Sequence, residues 1–343
     1  MRSQAPALQV FVAAAALAGV LLVYGLSGRP QPARASDKRL RVALIFDVGG
    51  RGDKSFNDSA YAGLERAAHD YGVETSYVEP VSGDERESAL RMFASAGFDL
   101  VIAVGFVFTS DVDRVARDMP YVHFACVDYA SSGNSVPPNV AALGFREEEG
   151  SYLVGALAGF RSQSHKVGFV GGMRGPLIAR FEKGFAQGVR EACSACEIDV
   201  AYAGATPEAY RDPAKGKTLA EGQISRGVDV IFHASGATGH GVFEAAREGN
   251  ISAIGVDVDQ ADEAPGVVIS SMLKRADVAV HDVIRDTVNG AFQSGLVVSG
   301  VREGAVDYVH TGPHAAVLSP ELIASVERLR EKLVRGETLV VRE

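Results

Sequence analysis

Residues 42–57 read Val-Ala-Leu-Ile-Phe-Asp-Val-Gly-Gly-Arg-Gly-Asp-Lys-Ser-Phe-Asn, an apolar run that stops at Asp47, turns through Gly49, Gly50 and Gly52, and then enters a helical pattern. Ala60, Leu64, Ala67, Ala68 and Tyr71 recur at helical spacing, with Ser55 as candidate N-cap and Gly72 just past the end. Strand, glycine turn and helix make the repeating unit of an α/β protein. Further strand-like runs follow at 75–78, 100–104, 122–127, 140–143, 167–170, 200–203, 228–232, 253–256 and 267–269. Helical stretches fall between most of them, including 147–159, 176–192 and 276–292. Strands that are apolar along their whole length belong in parallel sheets covered on both faces. About ten of them exceed one ordinary sheet, so two sheets and two Rossmann-like lobes are expected.

Length agrees, because 343 residues outgrow a single core. The chain is 47% hydrophobic, with 38 Gly and no Trp, which excludes a disordered or fibrous protein. Lys and Arg number 34 against 43 Asp and Glu, a net charge of −9, and no basic block occurs. Nucleic-acid binding is thereby set aside, since it rests on clustered cations.

The first 35 residues differ in kind. Arg2 precedes an apolar run from Leu8 to Leu26, then come Pro30, Pro32 and the small-x-small triplet Ala33-Arg34-Ala35. This reads as an export signal cut before Ser36, with an uncleaved anchor as the alternative. Either places the body outside the cytoplasm. Cys126, Cys193 and Cys196 are the cysteines, and none lies in the leader, so there is no lipobox cysteine. Cys193-Ser-Ala-Cys196 is compatible with a local disulfide or with two free thiols, and Cys126 sits in an apolar run as a core residue.

Three apolar runs end in aspartate, at Asp47, Asp128 and Asp257. Ligands of open parallel sheets bind beyond the carboxyl ends of the strands, so these acids are expected to line a cleft. Carboxylates on separate strands suit the hydroxyls of a neutral, sugar-like ligand better than they suit a calcium loop, whose ligands are closely spaced. The Gly-rich segments 49–55 and 236–241 lack the GxGxxG and GxxxxGK[ST] spacings of phosphate loops. No nucleophile, base and orienter set stands out, so a nicotinamide-dependent enzyme is disfavoured.

The stretch 47–57 closely resembles the signature of the basic membrane protein family, ABC-transporter substrate-binding proteins of the purine nucleoside receptor type. Further matches run in family order: Phe145-Arg-Glu-Glu-Glu-Gly-Ser-Tyr-Leu153, Gly171-Gly-Met-Arg-Gly-Pro176 with Arg180-Phe-Glu182, Asp212-Pro-Ala-Lys215, Ser235-Gly-Ala-Thr-Gly239, Ile254-Gly-Val-Asp-Val-Asp-Gln260, Ser270-Ser-Met-Leu-Lys274 and Glu331-Lys-Leu-Val-Arg-Gly336. The resemblance implies a type I periplasmic-binding-protein fold: two lobes joined by three crossovers near Gly144, Val267 and Gly295. Lobe 1 would hold 41–143 plus 268–295, and lobe 2 would hold 144–267 plus 296–343. It implies a nucleobase sandwiched by Phe56 and Tyr210, polar contacts from Asp47, Asn57, Asp128, Asp257 and Lys274, and close backbone approach at Gly236. It also implies no cofactor, no metal and no catalysis. The partners would be a nucleoside, an ABC permease and its ATPase, with the chain a monomer that meets the membrane only through an uncut leader. A same-fold receptor for a pentose is the nearer alternative. A transcriptional regulator of this fold would need a helix-turn-helix where the leader stands. Arg51-Gly52 and Tyr210 depart from the family pattern, where an aliphatic-acidic pair and a Phe are expected.

Overall fold

Strand β1 (Arg41–Ile45) is buried on both faces, as its unbroken apolar sequence requires, and it feeds helix α1 (Phe56–Tyr71) through the glycine turn. The computed structural model describes residues 39–130, 133 and 135–341; the expected leader lies outside the described residues. No helix among the described residues is long and apolar enough to cross a membrane.

The first sheet continues through β2 (Glu74–Val78), α2 (Glu85–Ser95), β3 (Leu100–Val104), α3 (Thr109–Asp118), β4 (His123–Val127) and β5 (Val140–Phe145). The second contains β6 (Lys166–Met173), β7 (Glu197–Gly204), β8 (Val230–Ala234), β9 (Ser252–Asp257), β10 (Val268–Lys274) and β12 (Val306–Tyr308). Its helices are α4 (Glu147–Arg161), α5 (Pro176–Ala192), α6 (Pro213–Ser225), α7 (Gly239–Glu248) and α9 (Pro320–Arg335). Helix α8 (Ala276–Val288) and strand β11 (Gly295–Ser299) return to the first lobe.

The six-stranded sheets run β11-β5-β4-β3-β1-β2 and β12-β10-β9-β8-β6-β7. All pairings are parallel except β10 with the short β12. This is the expected α/β architecture of two lobes, both in one compact unit that begins at Leu40. Core side chains such as Leu44, Ile102, Phe169, Phe232 and Ile254 are fully buried. Each contributes on the order of 1.5–3 kcal/mol of transfer free energy. In the second lobe, α4 and α5 meet backbone to backbone: a Cβ at Gly184 would lie 2.2 Å from the Glu148 carbonyl oxygen, and one at Gly188 only 2.0 Å from that of Tyr152.

The first crossover follows Phe145, within a residue of its expected place. The other two come a strand later than read. β10 is a seven-residue strand that pairs in parallel with β9, so residues 268–274 belong to the second lobe and not, as expected, to the first. β11 pairs in parallel with β5, which moves residues 296–299 into the first lobe. The short run read as 267–269 marks only the start of β10, because Ser270 and Ser271 interrupt its apolar pattern while being buried. Lys274 therefore reaches the cleft from the second lobe.

Cys193 and Cys196 are joined by a disulfide, and Cys126 is free and buried.

Candidate functional site

The loop after β1 is organised by Asp53. Its Oδ1 accepts from the backbone N–H of Ser55 (3.0 Å) and Asp58 (3.1 Å), and its Oδ2 from the backbone N–H (2.9 Å) and side-chain amide (3.0 Å) of Asn57. Asp53 thus does the capping expected of Ser55, whose side chain makes no cap bond. The Ser55 hydroxyl is instead free to cross the cleft and donate to Asp257 Oδ2. The same bonds hold the Asp53 carboxylate buried. Arg51 turns outward and lays its guanidinium 3.8 Å from the Tyr61 ring centroid. Asn57, held by Asp53, accepts the backbone N–H of Asp47 at 3.1 Å and so fixes the end of β1.

Asp128 and Asp257 both take left-handed backbone, at φ +64° and +69°. Non-glycine residues do so at a cost and cluster where function needs them. Gly105 makes room for the third acid, because a Cβ there would lie 2.3 Å from Asp47 Oδ2. Gly236, at φ +55°, seats the loop that carries Tyr210, where a Cβ would stand 3.2 Å from the Tyr210 carbonyl oxygen. Thr238 locks that loop by donating to Ala209 O and accepting from Asp212 N, both at 2.8 Å.

Asp47, Phe56, Asn57, Asp128, Tyr210, Gly236, Asp257 and Lys274 all line one cavity between the lobes. Phe106, Phe181, Leu177 and Ile178 complete an apolar wall. Sequence reasoning passed over these four; Gly105 at a strand end and Arg180-Phe-Glu182 were their available signals. Lys274 Nζ stands 2.5 Å from Asp128 Oδ2 and 3.6 Å from Glu147 Oε1, and 4.7 Å from the centroid of the Phe56 ring. Arg180 completes the group, donating to Glu147 Oε2 at 2.8 Å. The Lys274 and Asp128 side chains are only 3% and 4% exposed, so this pair is held out of water. Among the described residues the three strand-end acids form no metal-binding cluster; Lys274 is the cation beside Asp128 and Asp257, and Arg86 is the one that acts on Asp47.

Burial sets the electrostatics. It pushes the Asp47 carboxyl up to about 7, reinforced by Asp128 and Asp53 and opposed by the Val48 N–H. It pushes Asp257 up to about 6 against the pull of Lys274 and Ser55. Burial acts downward on Lys274, but Asp128, Glu147 and Asp257 overcome it and hold the ammonium above the ordinary lysine value. Among the described residues Asp128 Oδ1 is buried without a hydrogen-bond partner, a group that a ligand would satisfy.

A second buried chain ties the lobes. Burial pushes His233 down to about 3, so its imidazole is neutral, and its Nε2 donates to Gln260 Oε1 at 3.1 Å. The Gln260 amide then donates to the Lys54 carbonyl of the first lobe at 2.9 Å. With Ser55–Asp257 and Asp128–Lys274, this bond holds the lobes together over the cavity.

Residues 40–341 match the model of the family Bmp, ABC transporter substrate-binding protein PnrA-like. The chain belongs to that family. A CD4+ T-cell-stimulating antigen of Listeria innocua is 35% identical over 89% of either chain. The ABC transporter nucleoside-binding protein BmpA of Lactococcus lactis subsp. cremoris is 29% identical, covering 87% of this chain and 90% of its own. A solved ABC transporter system solute-binding protein from Aeropyrum pernix K1 superposes with a TM-score of 0.80 at 32% identity, covering 89% of this chain and 94% of its own. As a Bmp substrate-binding protein the chain binds its ligand and does not transform it. The implied two-lobe fold is the one observed.

Proposed function

We propose that this chain is the exported receptor of an ABC importer for a nucleoside, a purine nucleoside by preference. The observation that carries the reading is one cavity that sets aromatic faces beside hydroxyl-accepting acids drawn from both lobes. Phe56 and Tyr210 flank the base. Asp128, Asp257 and Lys274 hold the ribose hydroxyls, each ionised acid accepting strong charge-assisted bonds. Asp47 and Asn57 face the base edge, and Gly236 allows backbone contact.

Contacts from both lobes favour the closed state to the extent that they are lost on opening, which is how ligand drives closure. The closed monomer is then the form that an outward-facing permease accepts, with its ATPase on the other side of the membrane. The leader directs the body outside the cytoplasm, to the periplasm or the outer face of the cytoplasmic membrane, and tethers it if uncut. The name of the Lactococcus relative points to the same ligand class.

Thermal unfolding against adenosine, guanosine, inosine, cytidine, uridine, the free bases and ribose tests the assignment. A ligand bound only by the native state raises the midpoint with concentration. A rise with purine nucleosides and none with ribose is the expected outcome. A rise with ribose alone would reassign the cavity to a sugar.

A further inference from the structure

The Cys193–Cys196 pair lies far from the strand ends that form the cleft. Cys193 directly follows α5, Cys196 directly precedes β7 and His165 directly precedes β6, so the three meet at the amino-terminal edge of the second sheet. His165 Nδ1 stands 3.5 Å from Cys193 Sγ and 3.9 Å from Cys196 Sγ. All three candidate ligand atoms lie within 4.8 Å of one another. Zinc bonds of about 2.3 Å to sulfur and about 2.05 Å to nitrogen, at tetrahedral angles, require S···N separations of about 3.6 Å. The imidazole therefore already stands at coordinating distance from both sulfurs.

The support around His165 is built rather than incidental. Asp229 accepts from Ser162 Oγ at 2.6 Å, Gln163 N at 2.7 Å and Ser164 N at 2.8 Å, fixing the turn before it. Glu197 N donates to the His165 carbonyl at 2.8 Å, fixing the residue from the other side. Between these anchors His165 holds left-handed backbone at φ +58°. These bonds fix the backbone that presents His165 to the two sulfurs. His165 is exposed and the cysteines are half-buried, so a cation and a fourth, water ligand have access.

We infer that His165, Cys193 and Cys196 form a site for one thiophilic divalent cation, closed by the disulfide and opened by its reduction. A dithiol reductant attacks Cys196 Sγ, and the Cys193 thiolate leaves beside the imidazole. The second reductant thiol then resolves the mixed disulfide. The reductant ends as a disulfide, and the chain gains two electrons and two protons. Metal binding displaces the thiol protons into solvent.

The test is titration of the full chain with Zn²⁺, and in parallel with Co²⁺, before and after treatment with a non-coordinating phosphine reductant. The reduced chain is expected to take one Zn²⁺ and to show the thiolate-to-Co²⁺ charge-transfer absorption of two cysteines. The oxidised chain is expected to take none. His165→Ala should weaken the reduced site at least tenfold, about the loss that even an outer-sphere partner causes. Cys193→Ser, which leaves one thiolate, should cut the charge-transfer band to half or less, with thermal unfolding used to confirm that both variants are folded. Zn²⁺ taken up equally by oxidised chain, or held as tightly by folded His165→Ala, would overturn the inference. So would a reduced chain that takes none. None of these readouts depends on the nucleoside.

Discussion

At the scale of single residues, Phe56 and Asp257 carry the most distinct assignments. A base stacked on an aromatic face gains on the order of 1–3 kcal/mol, so Phe56→Ala is expected to raise the nucleoside Kd by about 5–150-fold, measured by calorimetry. An unchanged Kd would remove Phe56 from the site. The Asp257 carboxyl, raised to about 6, must be ionised to accept a ribose hydroxyl. Affinity should therefore fall as pH drops below about 6, by up to about tenfold per pH unit for one required ionisation. Stability without ligand runs the other way. Asp257 and Asp47, raised to about 6 and about 7, bind more protons in the folded state than in the unfolded one. The midpoint of the ligand-free chain should accordingly fall as pH rises from about 4 to about 7. A flat affinity between pH 5 and 8 would contradict the ionised role. The three strand-end acids were legible in sequence because a strand end is a topological position. The role of Asp53 was not, since a cap two residues upstream of the usual place depends on how the glycine turn folds.

At the scale of elements, the molecule relies on close backbone approach. Helices α1 and α8 cross at Gly63, where a Cβ would lie 2.3 Å from the Asp277 carbonyl oxygen. Gly63→Ala should destabilise the chain by about 1–3 kcal/mol, the usual overpacking cost, and denaturant unfolding reads it directly. A neutral or stabilising result would show that the two helices can slide apart. Periodicity and β-branched residues revealed all the strands up to β10, most of them short apolar runs between turn residues, with the exposed edge strand β2 the exception. They missed β11 and β12: Leu296 and Val297 are 45% and 49% exposed on an edge strand, and β12 is only three residues long. β11 lacks a buried face, and β12 alternates over too few residues for its pattern to be read.

At the scale of the whole molecule, the crossovers decide how ligand contact becomes closure. With β10 in the second lobe, the Asp128–Lys274 pair spans the cleft, as do Ser55–Asp257 and Lys54–Gln260. These contacts open with the cleft and are shielded from water when it shuts, so the closed state is defined by polar groups that a bound nucleoside would share. The second and third crossover positions were not legible, because partner choice in a parallel sheet is a long-range property. That Phe56, Asn57, Tyr210, Gly236 and Lys274 join the three strand-end acids in one cavity became legible only through resemblance to a family. The most direct test of the central claim is a calorimetric titration of the chain with guanosine, inosine and adenosine beside ribose and the free bases. One purine nucleoside bound per chain, at least about tenfold tighter than its ribose or its base alone, is the predicted result. Ribose bound as tightly as the nucleoside, or no binding by any of them, would contradict it.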